Sequence, residues 1–321
     1  MSTTTSQLLT IFNSLAMEKA SMNITSQEQA FLDRNQLPST YLDIANQWFF
    51  PLVKSISDNF NPNNAPKIIG INGCQGSGKS TLADYLCTIV ADRLGVTTVS
   101  LSLDDFYLTK AERIDLGSTV HPLLETRGVP GTHDVQLAMD CIQSLVKGQK
   151  TVITRFDKSI DDRASFDSLE TIEGKVGLIV LEGWCLGAKP EPLEQLTQPI
   201  NSLEEQDDRD GIWRNYVNNA IQSDYQALFN LADELIMLQA PSFDTVFHWR
   251  LEQEQKMIKR LEKEGMDNRS GVMNEQQIRR FINYFQRVTE NILSEMPSRA
   301  DHLFKLGKTR QITNYSQPSA N

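Results

Sequence analysis

A glycine-rich segment constrains this sequence more than any other: Gly73-Cys74-Gln75-Gly76-Ser77-Gly78-Lys79-Ser80. It fits the G-x-x-x-x-G-K-[ST] pattern of a phosphate-binding loop (P-loop), whose backbone N–H groups surround a phosphate. The pattern requires a strand before it and a helix after it. Residues 67–71 are apolar and β-branched, which predicts a buried strand, and apolar residues recur at helical spacing over 81–94. A glycine-rich turn with a solvated lysine is the alternative interpretation.

The loop residues, together with Thr81, are therefore predicted to hold the phosphates of a nucleotide. The helix that follows adds the positive end of its dipole. Lys79 is expected to reach the β- and γ-phosphates, and the Ser80 hydroxyl is expected to bind Mg²⁺.

The overall composition is that of a soluble globular protein and excludes several classes of function. A net charge of −10 argues against general nucleic-acid binding, which requires a basic face. The four cysteines lack metal-ligand spacing, and no apolar run is long enough for a membrane span. The first residues resemble neither a secretory signal nor a transit peptide. We therefore expect a cytoplasmic protein with no nucleic-acid or membrane partner, and the oligomeric state stays open.

Strands that alternate with helices along the chain predict an α/β fold of the P-loop NTPase type, with a mainly parallel sheet and helices on both faces. Strands are predicted at 97–103, 152–153, 176–181, 234–239 and 302–306, and helices at 135–146, 213–229, 243–264 and 275–293. The stretch from residue 108 to residue 134 is predicted to be rich in loops, the Pro- and acid-rich segment 187–211 to be exposed, and the residues after 306 to form a polar tail. Pro51 stands inside an apolar helical pattern and should kink or split that helix. Residues 1–64 are predicted to form a helical extension, either a cap on the domain or a partner-binding arm. Residues 65–321 form the P-loop domain, with a helical lid at about 250–280.

Acidic residues stand where two predicted strands end. Asp104 and Asp105 follow one strand, and Glu182 follows another. Because the carboxyl ends of parallel strands meet at one edge of a sheet, these acids should lie beside the phosphate-binding loop. Asp104 could accept a proton from an attacking hydroxyl or help to hold Mg²⁺, and Glu182 could hold Mg²⁺. A turn or N-cap aspartate and a solvated strand-end acid are the alternatives.

Two loops combine glycines or cations with acids in a way that suits ligand contact. The first, residues 127–134, contains Arg127, His133 and Asp134, although Asp134 could equally cap the next helix. The second, residues 155–163, contains Lys158 and Arg163 and could instead be a surface charge cluster. Further cations between Arg250 and Arg280 form either a solvated helix face or a lid over the transferring phosphoryl group.

Seven segments in order resemble the D-glycerate 3-kinase family and its fungal kinase relatives, in the wider group of phosphoribulokinase, uridine kinase and pantothenate kinase. The resemblance covers residues 65 to the end. The segments are the P-loop, residues 103–113, residues 127–134, residues 155–159, residues 181–184, residues 249–254 and residues 273–282.

The resemblance implies an ATP- and Mg²⁺-dependent kinase that phosphorylates D-glycerate or a similar hydroxy acid. Lys79, Asp104 and Glu182 would be catalytic, with Asp104 as the base, and Ser80, Asp104 and Glu182 would hold the metal. The acceptor would contact Asp105, Tyr107, Arg127, His133, Asp134, Lys158 and Arg163. A kinase of another alcohol, such as uridine or pantothenate, and a non-catalytic ATP-binding regulator are the alternatives. A GTPase is disfavoured because the sequence lacks an N-K-x-D segment.

Overall fold

The computed structural model describes residues 24–263 and 273–318 of the 321-residue chain. The predicted helical segment over residues 1–23 lies outside the described residues, as does Arg269 of the predicted lid. The described helices are α1 Ser26–Asn35, α2 Tyr41–Trp48, α3 Phe50–Asp58, α4 Lys79–Leu94, α5 Lys110–Thr119, α6 Val135–Val146, α7 Ser202–Asp207, α8 Ile212–Ala220, α9 Gln226–Phe229, α10 Phe243–Lys263 and α11 Glu275–Glu295.

The described strands form one large sheet and two small ones. They are β1 Lys67–Gly73, β2 Thr97–Ser102, β3 Thr151–Val152, β4 Phe156–Asp157, β5 Asp162–Arg163, β6 Thr171–Ile172, β7 Val176–Gly183, β8 Glu234–Gln239, β9 His302–Leu306 and β10 Ile312–Ser316. The large sheet has the order β10-β9-β8-β1-β7-β2, and β3–β6 and β4–β5 are separate antiparallel pairs.

The large sheet is parallel except at one edge, where β10 runs antiparallel to β9. The predicted α/β class with a mainly parallel sheet is confirmed. Its central strand, β1, lies between β7 and β8. β1 and β7 are buried over most of their length, and β8 is buried over its middle three residues. β7 pairs with β1 on one side and β2 on the other, so that Glu182 is in register with both Ile71 and Ser102. This register brings the ends of β1, β2 and β7 to one edge of the sheet.

The helices before β1 pack onto the rest of the protein. The predicted effect of Pro51 appears as a break between α2 and α3, with Pro51 in the first turn of α3, where its missing N–H costs no hydrogen bond. Phe31 and Val53 are fully buried in the same apolar core as the central sheet. Arg34 adds an ion pair of 2.8 Å to Asp84 of α4.

Three stretches differ in part from the sequence-based expectations. The predicted loop-rich stretch up to residue 134 contains helix α5, which begins with a Thr109–Glu112 capping box. The segment 187–211 is mostly exposed, as predicted, but buried acids anchor it, because Glu204 pairs with Arg287 at 2.6 Å and Asp208 also has a buried arginine partner. The predicted polar tail contains β10. In the described part of the chain, no helix is long and apolar enough to cross a membrane.

Candidate active site

The phosphate-binding loop joins β1 to α4 and depends on glycine at three positions. Gly76 and Gly78 have φ angles of 78° and 93°, in the left-handed region that favours glycine. A Cβ on Gly73 would come within 2.4 Å of the Ser77 hydroxyl oxygen, so this position needs glycine for space. The Ser77 N–H donates to the Cys74 carbonyl at 3.1 Å and closes the turn. The N-terminus of α4, with its unpaired N–H groups and positive dipole end, therefore faces the loop.

Buried polar atoms without hydrogen-bond partners cluster at this loop. Within the described residues they include Gln75 Oε1, Ser77 Oγ and Glu182 Oε2. Buried polar groups are seldom left unpaired, so three at one place indicate a missing polar ligand. Cys74 is different, since burial raises the pKa of its thiol to about 12 and keeps it protonated. Of the predicted nucleotide-binding residues, Thr81 is half-buried in the first turn of α4.

Lys79, Ser80 and Glu182 meet where β7 ends beside the start of α4. The Ser80 hydroxyl donates to Glu182 Oε1 at 2.7 Å, and the Lys79 ammonium is 3.7 Å from Oε2. Burial acts to lower the pKa of Lys79, but the carboxylates of Glu182 and Asp104 outweigh it and raise that pKa. Lys79 is therefore a permanent cation at the loop.

This arrangement fits a magnesium ion that is shared with a nucleotide. Mg²⁺ prefers oxygen ligands and is usually held by one or two carboxylates together with substrate phosphates. Ser80 offers a hydroxyl, and Glu182 offers a buried carboxylate with one oxygen that has no hydrogen-bond partner. Across residues 24–263 and 273–318, no group of three or more His, Cys, Asp or Glu side chains could hold a metal without such phosphates. These residues thus suit a metal that arrives with its nucleotide.

Asp104 lies in the helical turn that follows β2, on the cavity side of the sheet edge. Its carboxylate accepts hydrogen bonds from the Tyr107 hydroxyl at 2.8 Å and from the Lys158 ammonium at 2.7 Å. Burial alone would raise the pKa of Asp104, but Lys158 and Lys79 outweigh it and lower the pKa to about 2. Asp104 is therefore a carboxylate at neutral pH, able to accept a proton.

A cavity of about 620 Å³ is lined by Gln75 and Lys79 of the phosphate-binding loop and by Asp104. Its lining in the described part of the chain contains more cations than acids, although the whole chain is acidic. The cations are Lys79, Lys110, Arg113, Arg127, Lys158 and Arg250, and the acids are Asp104, Glu125 and Asp161. Tyr107, Trp184, Phe281 and Phe285 add aromatic surface. The cavity therefore suits an anionic ligand larger than a bare phosphate.

Arg127 lines this cavity, as does Arg113, which the sequence analysis did not select. Both guanidinium groups contact the Asp161 carboxylate. Arg127 also lies over the Phe156 ring, 5.4 Å from its centroid. Two predicted acceptor residues besides Arg127, namely Tyr107 and Lys158, line the cavity too.

Four other predicted acceptor residues are absent from the cavity lining in the described residues, and two of these support the turn that holds Asp104. Asp105 pairs with Arg155 at 2.6 Å and accepts a hydrogen bond from the N–H of Ser102, so its carboxylate is used within the fold. His133 is buried, and its Nδ1 is 2.6 Å from the Tyr225 hydroxyl. Burial lowers the pKa of His133 to about 4, and its neutral ring stacks on Tyr107.

The other two, Asp134 and Arg163, bind each other. Asp134 caps α6, since its Oδ1 accepts from the Leu137 N–H at 2.9 Å, and its Oδ2 pairs with Arg163 at 2.9 Å. Arg163 also donates to the Tyr107 carbonyl at 3.4 Å. This ion pair fixes the loop that holds Tyr107, and contact of the two residues with an acceptor stays a prediction.

Helix α10 and the β9–β10 turn cover the phosphate-binding loop. A Cβ on Gly76 would lie 3.2 Å from both Trp249 and Gln253 of α10. Arg310, in the turn, donates to the Gly76 carbonyl at 2.8 Å, pairs with Glu252 at 2.7 Å and lies over the Trp249 ring. Arg310 was not among the predicted site residues because it stands in the predicted polar tail. Arg250, one of the expected lid cations, lines the cavity.

Comparison with known proteins finds relatives that are named as kinases. The chain is 32% identical over 249 residues to "Uncharacterized kinase mug58" of Schizosaccharomyces pombe, across 73% of this chain and 83% of that protein. It is 30% identical over 254 residues to the chloroplastic D-glycerate 3-kinase of Arabidopsis thaliana, across 74% of this chain and 50% of that protein.

Among solved structures, a D-glycerate 3-kinase from Cryptococcus neoformans matches with a TM-score of 0.66 at 24% identity, over 84% of this chain and 96% of that chain. This likeness confirms the expected fold. A scan against models of protein families finds no match.

Proposed function

The chain belongs to the kinase family that includes D-glycerate 3-kinase and the fungal kinase mug58, and we propose that it transfers the γ-phosphoryl group of ATP to a hydroxyl of D-glycerate, giving 3-phosphoglycerate. The observation that carries the proposal is the meeting of Asp104 with Lys79 in one cation-lined cavity. A carboxylate and a phosphate-binding lysine at one site are what in-line transfer to an alcohol requires.

Each group has a separate task in this mechanism. The backbone of the P-loop and Lys79 bind the ATP phosphates, while Ser80 and Glu182 would hold Mg²⁺. Bound there with ATP, such an ion would supply positive charge that neutralises the phosphates. Asp104 orients the acceptor hydroxyl and takes its proton, and the Tyr107 hydroxyl fixes the carboxylate by its bond of 2.8 Å. Helix α10 covers the loop and would exclude water, and Arg250, which lines the cavity, would stabilise the transferring phosphoryl group.

Recognition of the acceptor falls to cations near Asp104. D-glycerate is small and has little apolar surface, so charge-assisted bonds to its carboxylate must supply most of its binding. Arg127 and Lys158 line the same cavity as Asp104, with side chains 29% and 59% exposed and thus accessible to a ligand. An acceptor carboxylate bound between them would hold its hydroxyl toward Asp104.

The aromatic lining favours a second candidate, an alcohol with an apolar or ring portion. Trp184, Phe281 and Phe285 come from segments outside the 127–163 loops in sequence and add aromatic surface to the cavity, which a small acceptor such as D-glycerate does not need. Uridine and pantothenate are the acceptors that such a wall would suit. With either acceptor, the reaction would still be an ATP-dependent phosphorylation of an alcohol at Asp104.

A coupled assay of ADP release separates these candidates. Wild type is tested with D-glycerate, glycerol, uridine, pantothenate and ribulose 5-phosphate, and kcat/KM is compared. We expect a strong preference for D-glycerate over glycerol, and Arg127→Ala should lose most of that preference while KM for ATP changes little. Equal use of glycerol and D-glycerate by wild type would show that the carboxylate is not recognised, and the D-glycerate assignment would fail. ATP binding without ADP release on any alcohol would favour a regulatory protein.

A further inference from the structure

One carboxylate in the cavity is shared by two arginines. Asp161 Oδ1 is 3.0 Å from Nη2 of Arg113 and also contacts Nη1 of Arg127. All three residues line the cavity that contains Asp104. Since each guanidinium carries one positive charge and the carboxylate one negative charge, the three side chains together carry one net positive charge.

The two arginines are held by contacts that do not depend on this carboxylate. Arg113 is buried and donates to the carbonyl oxygens of Leu108 at 3.2 Å, Glu125 at 2.6 Å and Asp161 at 2.8 Å. Arg127 lies over the ring of Phe156. Removal of the Asp161 charge should therefore leave both guanidinium groups in place and increase their net charge to two.

Asp161 itself is fixed by its backbone. It lies between β4 and β5 with φ of 57°, a left-handed conformation that Asp and Asn adopt more readily than most residues. Burial acts to raise its pKa, but Arg113 and Arg127 outweigh burial and the pKa is lowered. The carboxylate is thus ionised at neutral pH and aimed at the arginines by the turn.

We propose that Asp161 is a specificity-determining residue of the acceptor site, which offsets one of the two arginine charges and so favours a monoanionic acceptor over a dianionic one. The inference rests on the proposed function, because it takes this cavity as the acceptor site. A single carboxylate on the acceptor would bring the group of three side chains to neutrality, whereas a second negative charge close to this group would be repelled by Asp161. Repulsion of the wrong ligand in this way contributes to specificity as much as attraction of the right one.

Asp161→Asn tests this, because Asn keeps the size and the left-handed backbone and removes the charge. D-glycerate serves as the monoanion, and tartronate, a three-carbon hydroxy acid with two carboxylates, serves as the dianion. Dissociation constants of both are measured by calorimetry for wild type and variant. We expect the affinity ratio to shift toward tartronate by about three- to fivefold, the scale of a partly exposed ion pair.

Asp162→Asn is the matched control, since it removes the same charge from the same hairpin at a residue that does not line the cavity. Its ratio should equal that of wild type. If Asp161→Asn does not fold, Asp161→Gly removes the side chain at a backbone conformation that glycine adopts freely.

An unchanged ratio in Asp161→Asn, an equal shift in the control, or no binding of either anion by any variant would overturn the inference. The ADP-release assay is read separately. If wild type binds D-glycerate without phosphorylating it, the proposed function fails, and the charge inference is still decided by the binding ratio.

Discussion

Replacement of Asp104 by Asn is the sharpest test of the proposed chemistry. The change keeps an oxygen that can accept from the Tyr107 hydroxyl, and it removes the negative charge that pairs with Lys158 at 2.7 Å. The side chain keeps its size, so the turn after β2 should keep its shape. What is lost is the ability to take a proton from the acceptor hydroxyl.

The size of the effect follows from the pKa of the base. Removal of a general base typically lowers kcat by about 10²- to 10⁴-fold, and the loss is largest when the pKa lies near the working pH. Lys158 and Lys79 overcome the effect of burial and lower the pKa of Asp104 to about 2, which makes it a weak base. We therefore expect a loss near the lower end, about 10²-fold, which corresponds to roughly 2.7 kcal/mol of activation free energy.

The assay is steady-state ADP release at saturating acceptor, with ATP affinity measured separately by calorimetry. Asp105→Asn is the matched control, because Asp105 is the adjacent carboxylate and pairs with Arg155 away from the cavity. Asp105→Asn should lower the melting temperature, and it should lower kcat much less than Asp104→Asn does. Full turnover by folded Asp104→Asn would refute the role of base, and collapse of ATP affinity with high residual kcat would make Asp104 a metal ligand. An equal loss in Asp105→Asn would assign the effect to the turn.

Three further predictions concern cations of the candidate site. Lys79→Ala should abolish phosphoryl transfer with the fold intact, since Lys79 neutralises the transferring group; wild-type turnover by the folded variant would contradict the P-loop assignment. Lys158→Met should move the acid limb of kcat to higher pH, because Lys158 lowers the pKa of Asp104 and activity is lost as the carboxylate protonates; a pH profile equal to that of wild type would refute this pairing. Arg310→Ala should raise KM for ATP by roughly tenfold, because the bond to the Gly76 carbonyl is lost, and should leave KM for the acceptor nearly unchanged. An equal rise in both KM values would instead argue for general destabilisation.

The parts of the fold that the sequence predicts are those whose pattern is local. β8, β9 and α6 have the predicted bounds, because a buried strand or an amphipathic helix is recognised from the apolar residues within it. Helix α5 was missed because Gly117 and its many polar residues weaken the helical pattern. The segment 187–211 was assigned to the surface from its acids, and only tertiary structure reveals that Glu204 has a buried arginine partner in α11.

The same distinction applies to the candidate site. Lys79, Asp104 and Glu182 could be selected from the sequence because each follows a recognisable strand, and parallel strands deliver their ends to one edge. The acceptor loops offer no such rule. Asp134 and Arg163 belong to the predicted loops but bind each other at 2.9 Å, whereas Arg113, from a helix that was not predicted, lines the cavity.

The contact between Arg310 and Gly76 shows why site residues from distant parts of the chain are not predicted from the sequence. The two are 234 positions apart, and the arginine stands in a turn with φ of 67°, a conformation that costs a non-glycine residue free energy. That cost is offset by three contacts, with the Gly76 carbonyl, the Glu252 carboxylate and the Trp249 ring. None of these three partners is marked in the sequence as a contact of Arg310. Because Arg310 joins the phosphate-binding loop to helix α10, which also bears Arg250, a movement of this helix should change the geometry of the loop. Substitutions in this turn should therefore alter ATP binding more than they alter the choice of acceptor.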